Sequence, residues 1–205
     1  MHLKYKSHQI TKQTKKCIVA IHGWGGNLNS FNSIINSFNL KNLGFYTPQA
    51  PYKIDNNKFS WAFQRSDQTW QIDEAKQMFQ QFFKKIVLNR HDPNDVYVIG
   101  FSQGASVCYE IITYLDCSIG GIFPIAGFIR SDKTTYFDNI NPNILSMPVV
   151  IGHGIMDNIV SPNSSKKAFK MLQDRGMKNV KINFYNGAHK INIKFLEYIK
   201  EIIKD

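Results

Sequence analysis

The chain has 205 residues, of which 43% are hydrophobic and 20% charged. That is enough for one domain, residues 1–205, with its own core, and too apolar a mixture for disorder. Lys and Arg number 25 against 15 Asp and Glu, a net charge of +10, which raises binding to nucleic acid or an anionic membrane as one reading. The basic residues are dispersed, in the first sixteen residues and along Lys166 to Lys178 and Lys190 to Lys204. A solvated basic surface with no nucleic-acid partner is therefore the simpler expectation. The longest apolar stretch, Ile119 to Ile129, is broken by Gly120, Gly121, Pro124 and Gly127 and is too short to span a bilayer. The opening MHLKYKSHQI has no apolar core or cleavage site, so no signal peptide and a cytoplasmic location are expected. Cys17, Cys108 and Cys117 lie in or beside apolar segments and read as reduced core residues, not a disulfide or zinc framework.

In chain order, strands alternate with helices. Met1 to Ile10 is a candidate antiparallel edge strand, and Cys17 to Ile21 a buried strand ending in His22-Gly23-Trp24-Gly25-Gly26. Leu28 to Leu40 has helical spacing. Gly44 to Thr47 is a weak strand stopped by Pro48 and Pro51, Gln49 to Ser66 a long aromatic-rich loop, and Asp67 to Leu88 a long helix. Asp95 to Phe101 is the clearest buried strand, running into a helix over Gln103 to Leu115. Gly121 to Ala126 and Pro148 to Ile151 are strands. Ser161 and Pro162 start a helix that Gly176 ends, Val180 to Tyr185 is a strand, and His189 to Lys204 is a terminal helix. This alternation predicts an α/β fold with a mostly parallel sheet covered on both faces.

Gly100-Phe101-Ser102-Gln103-Gly104 joins the strongest strand directly to a helix. A serine at such a turn is held out at the sheet edge, and the residues two before and two after it must lack bulk for strand and helix to pass. A serine nucleophile needs a base, an orienting acid and an oxyanion hole. In this strand-turn-helix architecture the order is Ser, acid, His, so the base is His189 or His153. His189 is favoured because it follows the last strand, and His153 reads as a structural or supporting histidine. For the acid, Asp157 is favoured over Asp132 and Asp138 in the preceding loop, with Asp174 inside a helix. The amides of Gln103 and Trp24 are the candidate oxyanion hole. The glycines after the first buried strand do not complete a dinucleotide fingerprint, because Leu28 stands where the third glycine would be. With no Walker loop and no zinc helix, no cofactor and no metal are expected.

The segments IHGWGGN, APYKIDNNKFSW, GFSQGAS, PVVIGHGIMDNIV and NGAH, in that order from about Cys17 onward, resemble the α/β-hydrolase superfamily. Within it they are similar to the phospholipase/carboxylesterase family that includes the acyl-protein thioesterases. The resemblance implies the α/β-hydrolase fold, with Ser102 as nucleophile, Asp157 as acid, His189 as base, and the Trp24 and Gln103 amides as oxyanion hole. Gly26 stands where thioesterases of this family often carry Asp.

The expected activity is hydrolysis of a carboxylic ester or thioester, on a small molecule or an acylated protein, through an acyl-enzyme on Ser102. The rival is a basic binding protein for nucleic acid or anionic membrane on the same scaffold, with weak or no catalysis. Gly127 to Met147 is too short for a cap domain, so an open site is expected. The aromatic loop, with Tyr52, Phe59, Trp61 and Phe63, is the candidate acyl-binding wall. Either a monomer or a homodimer fits.

Overall fold

The computed structural model describes residues 2–38 and 40–204, without the side chains of residues 131–133. A seven-stranded sheet forms the centre, in the order β1 (Tyr5–His8), β3 (Leu43–Pro48), β2 (Lys16–Ile21), β8 (Val96–Phe101), β9 (Gly121–Ile125), β10 (Val149–Gly154) and β11 (Val180–Tyr185). β1 pairs antiparallel with β3 at one edge, and the other neighbours are parallel. The expected edge strand is thus present, with Met1 outside the described residues.

Alternation along β2 explains the two layers. Cys17, Val19 and Ile21 face one core, and Ile18 and Ala20 the other, as period-two side chains must. On the first face lie α2 (Asp73–Phe82), α3 (Gln103–Ile112) and α4 (Pro162–Asp174), which bury Phe79, Tyr109 and Leu172. On the second lie α1 (Asn32–Phe38) and α5 (Ile193–Lys204), which bury Phe38 and Ile199.

Several boundaries differ from the sequence reading, each for a local reason. The stretch expected as a loop holds a hairpin of β4 (Tyr52–Asp55) and β5 (Lys58–Ser60), turning at Asn57 with φ of 56°. Asn-Asn before Lys58 was the available signal. The long helix expected from Asp67 starts only at Asp73. Before it, β6 (Phe63–Gln64) pairs with β7 (Trp70–Gln71). Here the Asp67 carboxylate accepts from the Thr69 amide and hydroxyl, and Gln68 takes φ of 64°, so side-chain bonding to the backbone displaces the helix. Beyond Phe82 the helix widens to π geometry over Phe83–Leu88. α5 likewise starts at Ile193, where Asn192 Oδ1 accepts from the Lys194 and Phe195 amides, leaving His189 on a loop. α1 begins at Asn32, after a turn in which the Asn29 amide donates to Asn27 Oδ1. Cys17 and Cys108 are buried as expected. Cys117 is exposed, because it lies in the turn after α3 and not in the core.

Residues 127–147 hold only short 3-10 turns, Ser131–Phe137 and Pro142–Ile144, and no domain-sized cap. Sheet order runs from β2 outward to β3 in one direction and to β8 in the other. The crevice beyond the carboxyl ends of β2 and β8 is where such a reversal leaves room for a ligand.

Two side chains shape the β2 end of that crevice. His22 is buried; its Nδ1 donates to the Gly23 carbonyl at 2.7 Å and its Nε2 accepts from the Ala50 amide at 3.1 Å. Those partners define one neutral tautomer, because a carbonyl only accepts and an amide only donates. Trp61 packs on this ring and its indole Nε1 donates to the His22 carbonyl at 2.9 Å.

A methyl group at Gly104 would collide with the backbone carbonyl of Ile21. Gly104→Ala should therefore cost about 3 kcal/mol, lowering the thermal midpoint by roughly 6–12 °C in calorimetry. Burial of His22 pushes its pKa down to about 4, against a smaller upward pull from the Gly23 carbonyl. The unfolded chain then binds a proton between pH 6.5 and 4 that the folded one refuses, so stability falls as pH drops through that window. Urea denaturation should show a loss of about 3 kcal/mol across it. A His22→Asn variant, which keeps a donor for the Gly23 carbonyl, should have a pH profile flatter by that amount.

Candidate active site

Ser102 sits at the turn between β8 and α3 with φ of 54° and ψ of −118°. This is left-handed backbone for a residue with a Cβ, and it persists only where the surroundings enforce it. They do so from three sides. The Ser102 amide donates to the Ile125 carbonyl of β9 at 2.9 Å. Gly100 approaches Gly104 and Cys108 so closely that a Cβ would collide with both. Gly104 lies against the end of β2. Both glycines of Gly-x-Ser-x-Gly are thus close-approach positions.

Ser102 Oγ lies 3.0 Å from His189 Nε2, and His189 Nδ1 lies 2.7 Å from Asp157 Oδ2. The three residues follow β8, β10 and β11, and one network gathers them at the carboxyl edge. The amides of Ile155 and Met156, ahead of Asp157, donate to the carbonyls of Tyr185 and Gly187, ahead of His189. Gly154 is pressed against Gly187 and Ala188 where a Cβ would not fit. The Phe101 ring, 4.8 Å from the His189 ring between centroids, packs beside the imidazole.

Asp157 is buried, and three donors reach its carboxylate. Oδ1 accepts from the Ile159 and Val160 amides, both at 2.9 Å, and Oδ2 faces His189 and, at 3.2 Å, His153 Nε2. Burial pushes its pKa up, but the hydrogen bond from His189 and those from the Val160 and Ile159 amides outweigh it, so the group is held below the ordinary carboxylate value. His153 is fully buried, with Nε2 donating to the Val160 carbonyl at 2.9 Å and Nδ1 2.6 Å from Ser165 Oγ. It is remote from Ser102 in this chain of contacts and braces the Asp157 loop against α4. Of the rival acids, Asp138 pairs with Arg175, Asp174 closes α4 away from the carboxyl edge, and the Asp132 side chain lies outside the described residues.

Around Ser102 the amide donors are arranged as follows. Gln103 is the first residue of α3, so its amide has no intrahelical acceptor and lies at the positive end of the helix. Trp24 is exposed at the loop tip, while the neighbouring Gly25 and Gly26 amides donate to the Phe59 and Gly23 carbonyls. Gly23 touches Ser102: a Cβ there would stand 3.2 Å from that of the serine. Gly26 has no space for the Asp of the resembling thioesterases, because its Cβ would lie 2.7 Å from His22 Nδ1.

A cavity of about 630 Å³ opens beside Gln103, between α2, α3, α4 and the segment after β9. Trp61, Trp70, Val107, Phe128, Ala168 and Met171 supply apolar lining, with Lys76, Glu110, Arg130 and Lys167 among its polar groups. Of the expected wall, Trp61 lines this cavity but is itself buried and anchored, whereas Tyr52 and Phe59 lie outside it and pack on the core beneath. Helix faces carry most of this cavity's lining, and no local motif in the sequence signals that. Two supporting roles were also not legible: the His22 clamp, and the Gln103 side chain, whose Oε1 accepts from the Trp61 amide at 3.0 Å while Nε2 donates to Ser60 Oγ. Among the described residues no three His, Cys, Asp or Glu side chains gather as metal ligands would, and no helix is long and apolar enough to cross a membrane.

Comparison with known proteins agrees with the fold. Acyl-protein thioesterase 1 of Candida albicans is 28% identical over 93% of this chain and 92% of its own. The corresponding protein of Debaryomyces hansenii is 29% identical over 95% and 92%. The crystal structure of Arabidopsis thaliana SOBER1 superposes with a TM-score of 0.79 at 20% identity, covering 93% of this chain and 98% of that one, which establishes the common α/β-hydrolase fold. A family model for phospholipase/carboxylesterase matches residues 8–205. With the match spanning nearly the whole chain, this protein belongs to the phospholipase/carboxylesterase family of α/β hydrolases.

Proposed function

We propose that this hydrolase cleaves acyl esters and thioesters through a covalent acyl-enzyme on Ser102. The observation that carries the reading is the unbroken line from Ser102 Oγ to His189 at 3.0 Å and on to Asp157 at 2.7 Å, beside an apolar cavity. His189 Nε2 takes the hydroxyl proton as Ser102 Oγ bonds to the acyl carbon. Asp157 holds Nδ1–H, which keeps Nε2 free to act as the base and stabilises the imidazolium. The Trp24 and Gln103 amides receive the carbonyl oxygen as it becomes an oxyanion. Collapse of the tetrahedral intermediate expels the alcohol or thiol, which leaves with the proton from His189. Water, deprotonated by His189, then attacks the acyl carbon, and Ser102 regains its proton as the acid is released.

The acyl chain is assigned to the cavity beside Gln103. Its volume lies within the range of pockets that enclose a whole small ligand, and its apolar lining suits an alkyl chain. The names of the fungal relatives make an acylated protein a natural substrate class to test. Such a substrate needs its leaving group outside the cavity, which the lack of a domain-sized cap permits.

Ser102→Ala should fold normally and lose about 10⁴- to 10⁶-fold in kcat on p-nitrophenyl butyrate, and adding His189→Ala should cost little more, since the members act as a unit. His153→Ala should be much milder than His189→Ala in the same assay; the reverse ranking would move the base to His153. Across acetate, butyrate, octanoate and palmitate esters and thioesters, kcat/KM should rise by up to about fourfold for each further buried CH₂ until the cavity ends. Val107→Phe, which fills the α3 wall, should cut off that rise at a shorter chain and leave acetate hydrolysis nearly intact. Parallel chain-length profiles would place the acyl chain elsewhere.

A further inference from the structure

Large apolar side chains exposed to solvent are concentrated on one face. Trp24, Phe63, Ile155, Met156, Ile159 and Ile193 are between half and three-quarters exposed. Each lies in a segment that follows a sheet strand and precedes the next helix or begins it, which puts all six at the carboxyl edge, around the mouth where Ser102 sits. Among the described residues, only Tyr5 and Tyr198 of the exposed large hydrophobics lie outside the segments following these strands. Scattered singly, such residues would mean little; gathered round one opening, they mark a surface that is covered in use.

The charges on this face indicate what covers it. Residues 22–31 contain no Asp, Glu, Lys or Arg. In residues 155–164 and 186–194 the one carboxylate is the buried Asp157, while Lys190 and Lys194 are exposed beside Ile193. Lys166 and Lys167 stand exposed near the start of α4, at the same edge. Trp24, Ile155, Met156, Ile159 and Ile193 are flanked by lysines with no exposed carboxylate in their own segments, while the Phe63 hairpin carries Arg65 and Asp67 together; such a face complements a layer of anionic headgroups over hydrocarbon. The overall charge of +10 draws the molecule toward such a layer from a distance.

We propose that this carboxyl-edge face docks on an anionic lipid bilayer, with the apolar collar entering the headgroup region and Lys190 and Lys194 on the phosphates. The docking stands on the surface alone. That it delivers bilayer-anchored acyl chains to Ser102 rests on the proposed hydrolase reading.

The test is co-sedimentation with vesicles of phosphatidylcholine alone and of phosphatidylcholine with phosphatidylserine, at low and high salt. The wild type should partition onto the anionic vesicles and be released by salt. Ile155→Ser with Ile193→Ser should weaken partition by at least about tenfold. Lys190→Gln with Lys194→Gln should weaken it about 30-fold at low salt. Both variants should keep the wild-type thermal midpoint and rate on soluble p-nitrophenyl butyrate. Ser102→Ala should bind vesicles like the wild type, so a failed hydrolase reading leaves docking intact and a failed docking leaves soluble hydrolysis intact. Absence of wild-type partition, partition unaffected by both variants, or a solution dimer that the serine substitutions dissociate would each overturn the proposal.

Discussion

Everything at the carboxyl edge depends on how closely the backbone can approach itself around Ser102. The serine occupies a left-handed conformation, and no side chain of its own holds it there. It is held by the Ile125 carbonyl, by the absence of a Cβ at Gly100 and Gly104, and by the end of β2 lying against α3. Shifting any of these strands would move Ser102 Oγ relative to His189. The sheet therefore acts as a jig: its parallel pairing fixes the spacing between the ends of β8, β10 and β11, and the loops beyond need only short tethers to one another.

The residues next to Ser102 are tied down in the same way. His22 closes the loop after β2 on itself and is roofed by Trp61. The Gln103 side chain then bonds the start of α3 to the Trp61 amide. The two proposed oxyanion donors are thus linked through Trp61, although they lie on different strand ends. Preorganisation of this kind means that the dipoles need little rearrangement when charge develops.

How far the sequence disclosed this depended on whether a signal was local. The alternation of apolar runs and helical periods located the sheet and its order of elements, and a serine between two glycines after VYVIGF marked its own turn. Asp157 and His189 were legible because strand order sends them to the same edge. Polar side chains that bond to backbone, near in sequence or far, were not. The Asp67 turn that shortens α2, the Asn192 cap that shortens α5 and the clamp from His22 to Ala50 each involve a polar side chain bonding to backbone, in competition with the periodic pattern. The lining of the cavity beside Gln103 was hard to read for a related reason. Aromatic content pointed to residues 52–61, but Tyr52 and Phe59 spend their area on the core, and less conspicuous residues such as Val107, Ala168 and Met171 face the cavity.

The surroundings of Asp157 have a consequence for where protons can go. Two backbone amides occupy one oxygen, and two imidazoles face the other. The two amides and His189 supply hydrogens and the buried His153 ring fills the remaining side, so an acquired proton would have to displace a donor or a packed ring. On the proposed mechanism the carboxylate is a fixed anion, and the mobile proton shuttles between Ser102, the substrate and Nε2 of His189 without travelling further inward. His153 acts as an insulator: its ring closes the inner side of the acid while its Nε2–H is committed to the Val160 carbonyl, so the relay has a dead end built of protein instead of an exit to solvent.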